Sequence, residues 1–149
     1  MKTMTVRPTM IGLLLAAALA IPAGAQASDG TFAGTIRCDA LPRQRPLVTK
    51  VTMTVAEGQA KYEREILDPN GGMGTGVFER GQGPVGSDGT VTLTTHATAM
   101  AQGYSYDSEY RGKIEGSIAR FTGTQYWKIK GQTGTIPRPC TLELMRNPS

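Results

Sequence analysis

Apolar and polar residues alternate along most of this chain. Val51, Met53 and Val55 alternate with Thr52 and Thr54, and Val91, Leu93, Thr95, Ala97 and Ala99 alternate with Thr90, Thr92, Thr94, His96 and Thr98. Tyr104, Tyr106, Tyr110 and Ile114 share one parity, against Ser105, Asp107, Glu109, Arg111 and Lys113. Phe121, Gln125, Trp127 and Ile129 stand in the same way against Thr122, Thr124, Tyr126, Lys128 and Lys130. Period two with β-branched and aromatic enrichment is the pattern of half-buried strands. It predicts strands near 31–38, 47–55, 60–67, 76–82, 90–99, 104–114, 117–130 (a break at Arg120 being the alternative) and 140–146. The steps between them are turn-formers: Ala56-Glu57-Gly58, Ser87-Asp88-Gly89 and Glu115-Gly116. Such x-Gly and Asp-Gly steps favour hairpins. Asp68-Pro69-Asn70-Gly71-Gly72 predicts a longer loop that continues through the glycine-dense stretch to Gly76.

Short links between consecutive strands imply an antiparallel meander. The expected fold is therefore all-β: an antiparallel up-and-down barrel of about eight strands, with a two-sheet β-sandwich as the alternative, because both bury one face of every strand. No sustained helical period follows the N-terminal region.

That region reads differently. Lys2 and Arg7 precede an apolar run over residues 10–21, and Pro22 and Gly24 then lead into small residues at Ala23, Ala25 and Ala27. This is the order of a cleavable secretory signal peptide. Both Ala23-Gly24-Ala25 and Ala25-Gln26-Ala27 fit a cleavage site, and cutting after Ala27 leaves a polar terminus. The run is shorter than the ~20 apolar residues of a spanning helix. The expected organisation is a signal peptide over 1–27 and one β domain over 28–149. No stable membrane insertion is expected after cleavage. The expected location is the periplasm, with the extracellular space as the alternative.

Removal of the signal changes the charge balance. Residues 28–149 hold 14 Lys and Arg against 12 Asp and Glu, so the net charge falls from +4 to +2. Nucleic acid is not an expected partner of so balanced a surface. The chain has two cysteines, Cys38 and Cys140, near the two ends of the domain. In an oxidising compartment this pair is expected as a disulfide, and it lacks the C-x-x-C spacing of a redox motif.

Candidate chemistry is sparse. His96 is the single histidine and no G-x-S-x-G surrounds a serine, so no nucleophilic triad is expected. Asp107 and Glu109 share a strand face with Arg111 and Lys113, which reads as a charge-compensated surface rather than a metal site. Glu63 and Glu65 complete the only carboxylate cluster. Gly81-Gln82-Gly83-Pro84-Val85-Gly86 fits G-x-G-x-x-G but is followed by a turn and a strand, not the helix the fingerprint requires. No catalytic residue, metal or cofactor is expected. The feature that suggests binding is the aromatic stripe Tyr104, Tyr106, Tyr110 and Trp127, which can line a ligand groove or pack a small barrel core.

Several segments resemble small exported bacterial β proteins of uncharacterised function: Asp29-Gly30-Thr31-Phe32-Ala33-Gly34 before Cys38, Tyr62-Glu63-Arg64, Gly103-Tyr104-Ser105-Tyr106, Gly123-Thr124-Gln125 with Trp127, and Arg138-Pro139-Cys140. This resemblance implies an exported β domain and carries no activity. Gly58-Gln59-Ala60-Lys61-Tyr62 also resembles a hairpin segment of periplasmic C-type lysozyme inhibitors, without the serine expected there. The expected function is a non-catalytic, monomeric exported module that binds a small ligand or an envelope partner. The alternatives are inhibition of an envelope hydrolase such as lysozyme, and a carboxylate-dependent hydrolase.

Overall fold

A computed structural model describes residues 29–67, 74–99 and 102–148. The expected signal peptide and the loop at 68–73 lie outside the described residues. Eight strands follow one another: β1 (Gly30–Cys38), β2 (Leu47–Ala56), β3 (Gln59–Leu67), β4 (Gly74–Pro84), β5 (Thr90–Ala99), β6 (Tyr104–Glu115), β7 (Ile118–Ile129) and β8 (Ile136–Arg146). Each pairs antiparallel with the next, and β8 pairs with β1 to close a barrel. The barrel is thus the arrangement adopted, not the sandwich.

Two strands, β4 and β8, begin well before the pattern-based expectation. β4 begins at Gly74, inside the expected loop, because Leu67 and Gly74 are partners across a register shift between Glu65 and Leu67. Gly76 holds φ at 71° there, a backbone state that glycine tolerates. β8 begins at Ile136 despite Pro137 and Pro139. Its residues before Cys140 pair with β7 only, so these prolines remove no bond from a second ladder. β7 runs through Arg120 without a break.

Closure is sealed by Cys38 and Cys140, which are direct cross-strand partners and form a disulfide 102 residues apart in sequence. Inward positions hold the core. Toward the tight turns, Phe32, Ile36, Met53, Val55, Leu93, Phe121, Leu142 and Leu144 are buried in one apolar cluster. Toward the longer connections, Leu41, Ile66, Ala97, Tyr106 and Trp127 form a second. Glycine sets the curvature where strands approach closely. A Cβ at Gly112 would lie 1.9 Å from the Arg120 carbonyl oxygen, and one at Gly83 would lie 1.8 Å from that of Thr92. No side chain fits such a corner without moving the neighbouring strand.

The wall is not uniformly paired. The β2–β3 ladder extends only from Ala56↔Gln59 to Thr52↔Glu63, and the β4–β5 ladder only from Gln82↔Thr94 to Arg80↔His96. Beyond those points β3 and β4 remain paired with each other but leave both neighbours. Their outer hairpin therefore departs from the barrel wall along two seams.

Candidate functional site

Between the two apolar clusters lies a belt of buried polar residues, one from each strand from β3 to β8: Arg64, Glu79, Thr95, Ser108, Gln125 and Arg138. The ladders dictate this level. Arg64 pairs with Glu79 across β3–β4, and Thr95, Ser108, Gln125 and Arg138 are successive partners across β5 to β8. Parity turns every one of them inward.

Glu79 is the hub. Its Oε2 accepts from Arg64 Nε at 2.6 Å, Tyr106 OH at 3.1 Å and Tyr62 OH at 3.2 Å. Its Oε1 accepts from Thr95 Oγ1 at 2.6 Å, Tyr110 OH at 2.9 Å and Ser108 Oγ at 3.2 Å. Two arms continue outward. Arg64 Nη2 donates to Tyr106 OH at 2.8 Å. Trp127 Nε1 donates to Gln125 Oε1, whose Nε2 donates to Tyr110 OH. A buried carboxylate is held only by such charge-assisted bonds. The network also has a mechanical role: Arg64 and Glu79 form the first row of the departing hairpin, and they bind it to β5 and β6 where ladder bonds have ceased.

Arg64 and Glu79 side chains are 1% and 0% exposed. Burial works against the Arg64 charge, but Glu79 beside it more than restores it, so the guanidinium stays protonated beyond its ordinary range. Arg64 Nη1 is buried and has no hydrogen-bond partner among the described residues. Arg138 has its pKa lowered, first by burial and then by repulsion from Arg64. Its guanidinium donates to the backbone carbonyls of Asp39 and Arg45 and lies 5.7 Å from the Trp127 ring centroid.

The aromatic stripe divides in two. Tyr106 stacks on Trp127 at 4.4 Å and Tyr104 sits 4.9 Å from the same ring, whereas Tyr110 lies 5.8 Å from Tyr62 in the other cluster. Tyr106 and Tyr110 are fully buried, Trp127 is 5% exposed and Tyr104 is half-buried. Parity was visible in the sequence for all four. Glu79, Arg64 and Arg138 were missed, although Arg64 lies between Tyr62 and Ile66 and Glu79 between Val77 and Gly81 on inward parity.

Burial raises the pKa of Tyr62, Tyr106 and Tyr110, and the Glu79 charge raises it further. A raised phenol pKa contributes stability that is complete below the unfolded value near 10.0 and is lost as pH rises above it. With three such groups, stability is expected to fall by about 4 kcal/mol per pH unit above that point. Tyrosinate absorbance and far-UV circular dichroism followed together check this. These phenols should ionise only as the barrel unfolds, and ionisation ahead of unfolding would show that water reaches the network.

The outer face carries the remaining candidates. His96 Nδ1 lies 2.6 Å from Asp107 Oδ1, and its Nε2 lies 2.5 Å from Thr98 Oγ1. Glu109 pairs with Arg111, and Glu63 with Arg80. In Gly58-Gln59-Ala60-Lys61-Tyr62, Ala60 and Tyr62 face the interior, while Gln59 and Lys61 face out. Among the described residues, no three or more His, Cys, Asp or Glu side chains gather as a metal site.

Where the β3–β4 hairpin departs, a groove of about 1360 Å³ opens along β2 to β5, and outward residues such as Val48, Lys50, Leu67, Phe78 and Arg80 line it together with the inward-facing Val51, Tyr62 and Arg64. The class that fold and site define is a closed eight-stranded up-and-down barrel with a polar belt and a lateral groove. No protein-family model, curated protein or solved structure matches this chain.

Proposed function

We propose that the chain is an exported, non-catalytic barrel module that binds its ligand in the lateral groove between β2 and the β3–β4 hairpin. The observation that carries this reading is the pair of seams. They open a large recess in the wall of a barrel whose interior is occupied by two apolar clusters and the belt between them. The disulfide fits an oxidising compartment, and the N-terminal pattern supplies a route to it. The aromatic stripe stands behind the groove: Tyr106 receives Arg64 Nη2, so a ligand that moves Arg64 is felt at Trp127.

Catalysis is not favoured by the outer-face geometry. The Thr98–His96–Asp107 string has its histidine and carboxylate side chains 59% and 57% exposed. Water competes for each bond there, and the water-excluded setting that stabilises developing charge is lacking.

Native mass spectrometry of the protein exported by a bacterial host tests the whole reading. The expected species is cut after Ala27, two hydrogens lighter than the reduced chain, and carries a non-covalent adduct that Val48→Asp removes. An uncut chain in the cytoplasm would overturn export. An adduct indifferent to Val48→Asp would move the site away from the groove.

A further inference from the structure

The groove has a charge preference, readable from which of its ionic groups are already engaged. Two of its three acids are paired with cations, and the third is held by a backbone N–H. Glu63 holds Arg80, Glu65 accepts from the Gly76 N–H, and Asp107 holds His96 and Lys128. Its two lysines, Lys50 and Lys61, are in no ion pair among the described residues.

Behind them, the belt holds two guanidiniums, Arg64 and Arg138, against the one carboxylate of Glu79. Glu79 already accepts six hydrogen bonds, so it has no capacity left for Arg64 Nη1. That nitrogen is the open end of an otherwise closed network, and an unpaired buried donor on a charged group is costly. Arg64 also lies in the groove lining, at the point where the β2–β3 ladder stops. A group entering there breaks no ladder bond. The rest of the lining is apolar in part: Val48 is 53% exposed, and Leu67 and Phe78 are half-buried.

We propose that the groove binds an amphiphilic organic carboxylate. The head group enters at the β2–β3 seam and accepts from Arg64 Nη1, and Lys50 and Lys61 add favourable charge. The apolar body lies over Val48, Leu67 and Phe78. A carboxylate suits this place because it supplies the negative charge that the belt lacks. This inference rests on the groove being the binding surface and adds the class of ligand.

Isothermal titration of the exported, disulfide-bonded protein with octanoate, and separately with octan-1-ol, tests it. The two share a tail and differ in head-group charge. Octanoate is expected to bind at least tenfold more tightly than the alcohol, with an affinity that falls as salt rises. Arg64→Gln should abolish the preference for the anion. Because that substitution touches a buried pair and can unfold the barrel, Lys50→Glu and Lys61→Glu serve as the surface counterparts. Each is expected to fold normally and to weaken octanoate at least threefold while leaving octan-1-ol unchanged.

Equal binding of acid and alcohol would overturn the carboxylate inference and leave the groove reading standing. Octanoate binding that ignores both lysine variants would place the anion elsewhere and overturn it too. No binding of octanoate at millimolar concentration overturns it outright. The groove reading then stands or falls separately, on the response of the native adduct to Val48→Asp.

Discussion

Replacing Glu79 with alanine is expected to destabilise the barrel by about 3–5 kcal/mol, the usual cost of leaving one partner of a buried ion pair unmatched. The effect has two sources. Arg64, whose side chain is 1% exposed, loses its counter-charge, and Tyr62, Tyr106, Tyr110 and Thr95 lose their shared acceptor. Chemical denaturation of the wild type and the variant measures the cost. The companion experiment is Glu79→Gln combined with Arg64→Met, which removes both charges and keeps most of the volume. That double variant should recover much of the loss, because removing both partners leaves no unmatched buried charge and the amide oxygen introduced by Glu79→Gln can still accept from part of the hydroxyl cluster. A cost below about 1 kcal/mol for Glu79→Ala would mean that Arg64 escapes through the seam to water, so that the hairpin is not tied down by the belt.

Removal of the Cys38–Cys140 bridge as the paired Cys38→Ser and Cys140→Ser variant is expected to cost up to about 4.7 kcal/mol, the chain-entropy value for a loop of this length. The bridge closes 102 residues and joins direct partners of the first and last strands. It therefore constrains nearly the whole unfolded chain without demanding a long reach in the folded one. Urea unfolding should show a lower midpoint and a steeper slope, since an uncrosslinked unfolded chain exposes more surface. A loss under 1 kcal/mol would show that the β1–β8 ladder alone sustains closure.

Most of the fold was legible because half-buried strands impose a simple rule. Each inward residue must be apolar, small or paired, and its neighbours must be polar. The alternation at Val91, Leu93 and Ala97, or at Tyr106 and Tyr110, therefore carried both the strand and its buried face. The rule fails where charge is buried, since Arg64 and Glu79 sit on inward parity yet each looks like a surface residue by type. Their burial is possible only because each meets the other across the β3–β4 ladder and because hydroxyls from β5 and β6 converge on Glu79. None of those partners is local in sequence.

The boundary differences have the same origin. Gly74 and Ile136 begin strands because a neighbouring strand is there to pair with, and Pro137 is tolerated because only one side of that strand is paired. Local propensity acts on a residue and its neighbours, whereas a ladder depends on what lies opposite.

From its residues alone this chain declared eight short strands, the faces they bury and the two cysteines able to meet at its ends, because period, turn chemistry and cysteine count act locally or need only be counted. Tertiary structure decided that the sheet closes as a barrel, that six polar residues from six strands form one belt, and that the β3–β4 hairpin leaves the wall to open a groove. Register is the reason. Which side chains share a level, and where a ladder stops, depend on how strands distant in sequence line up.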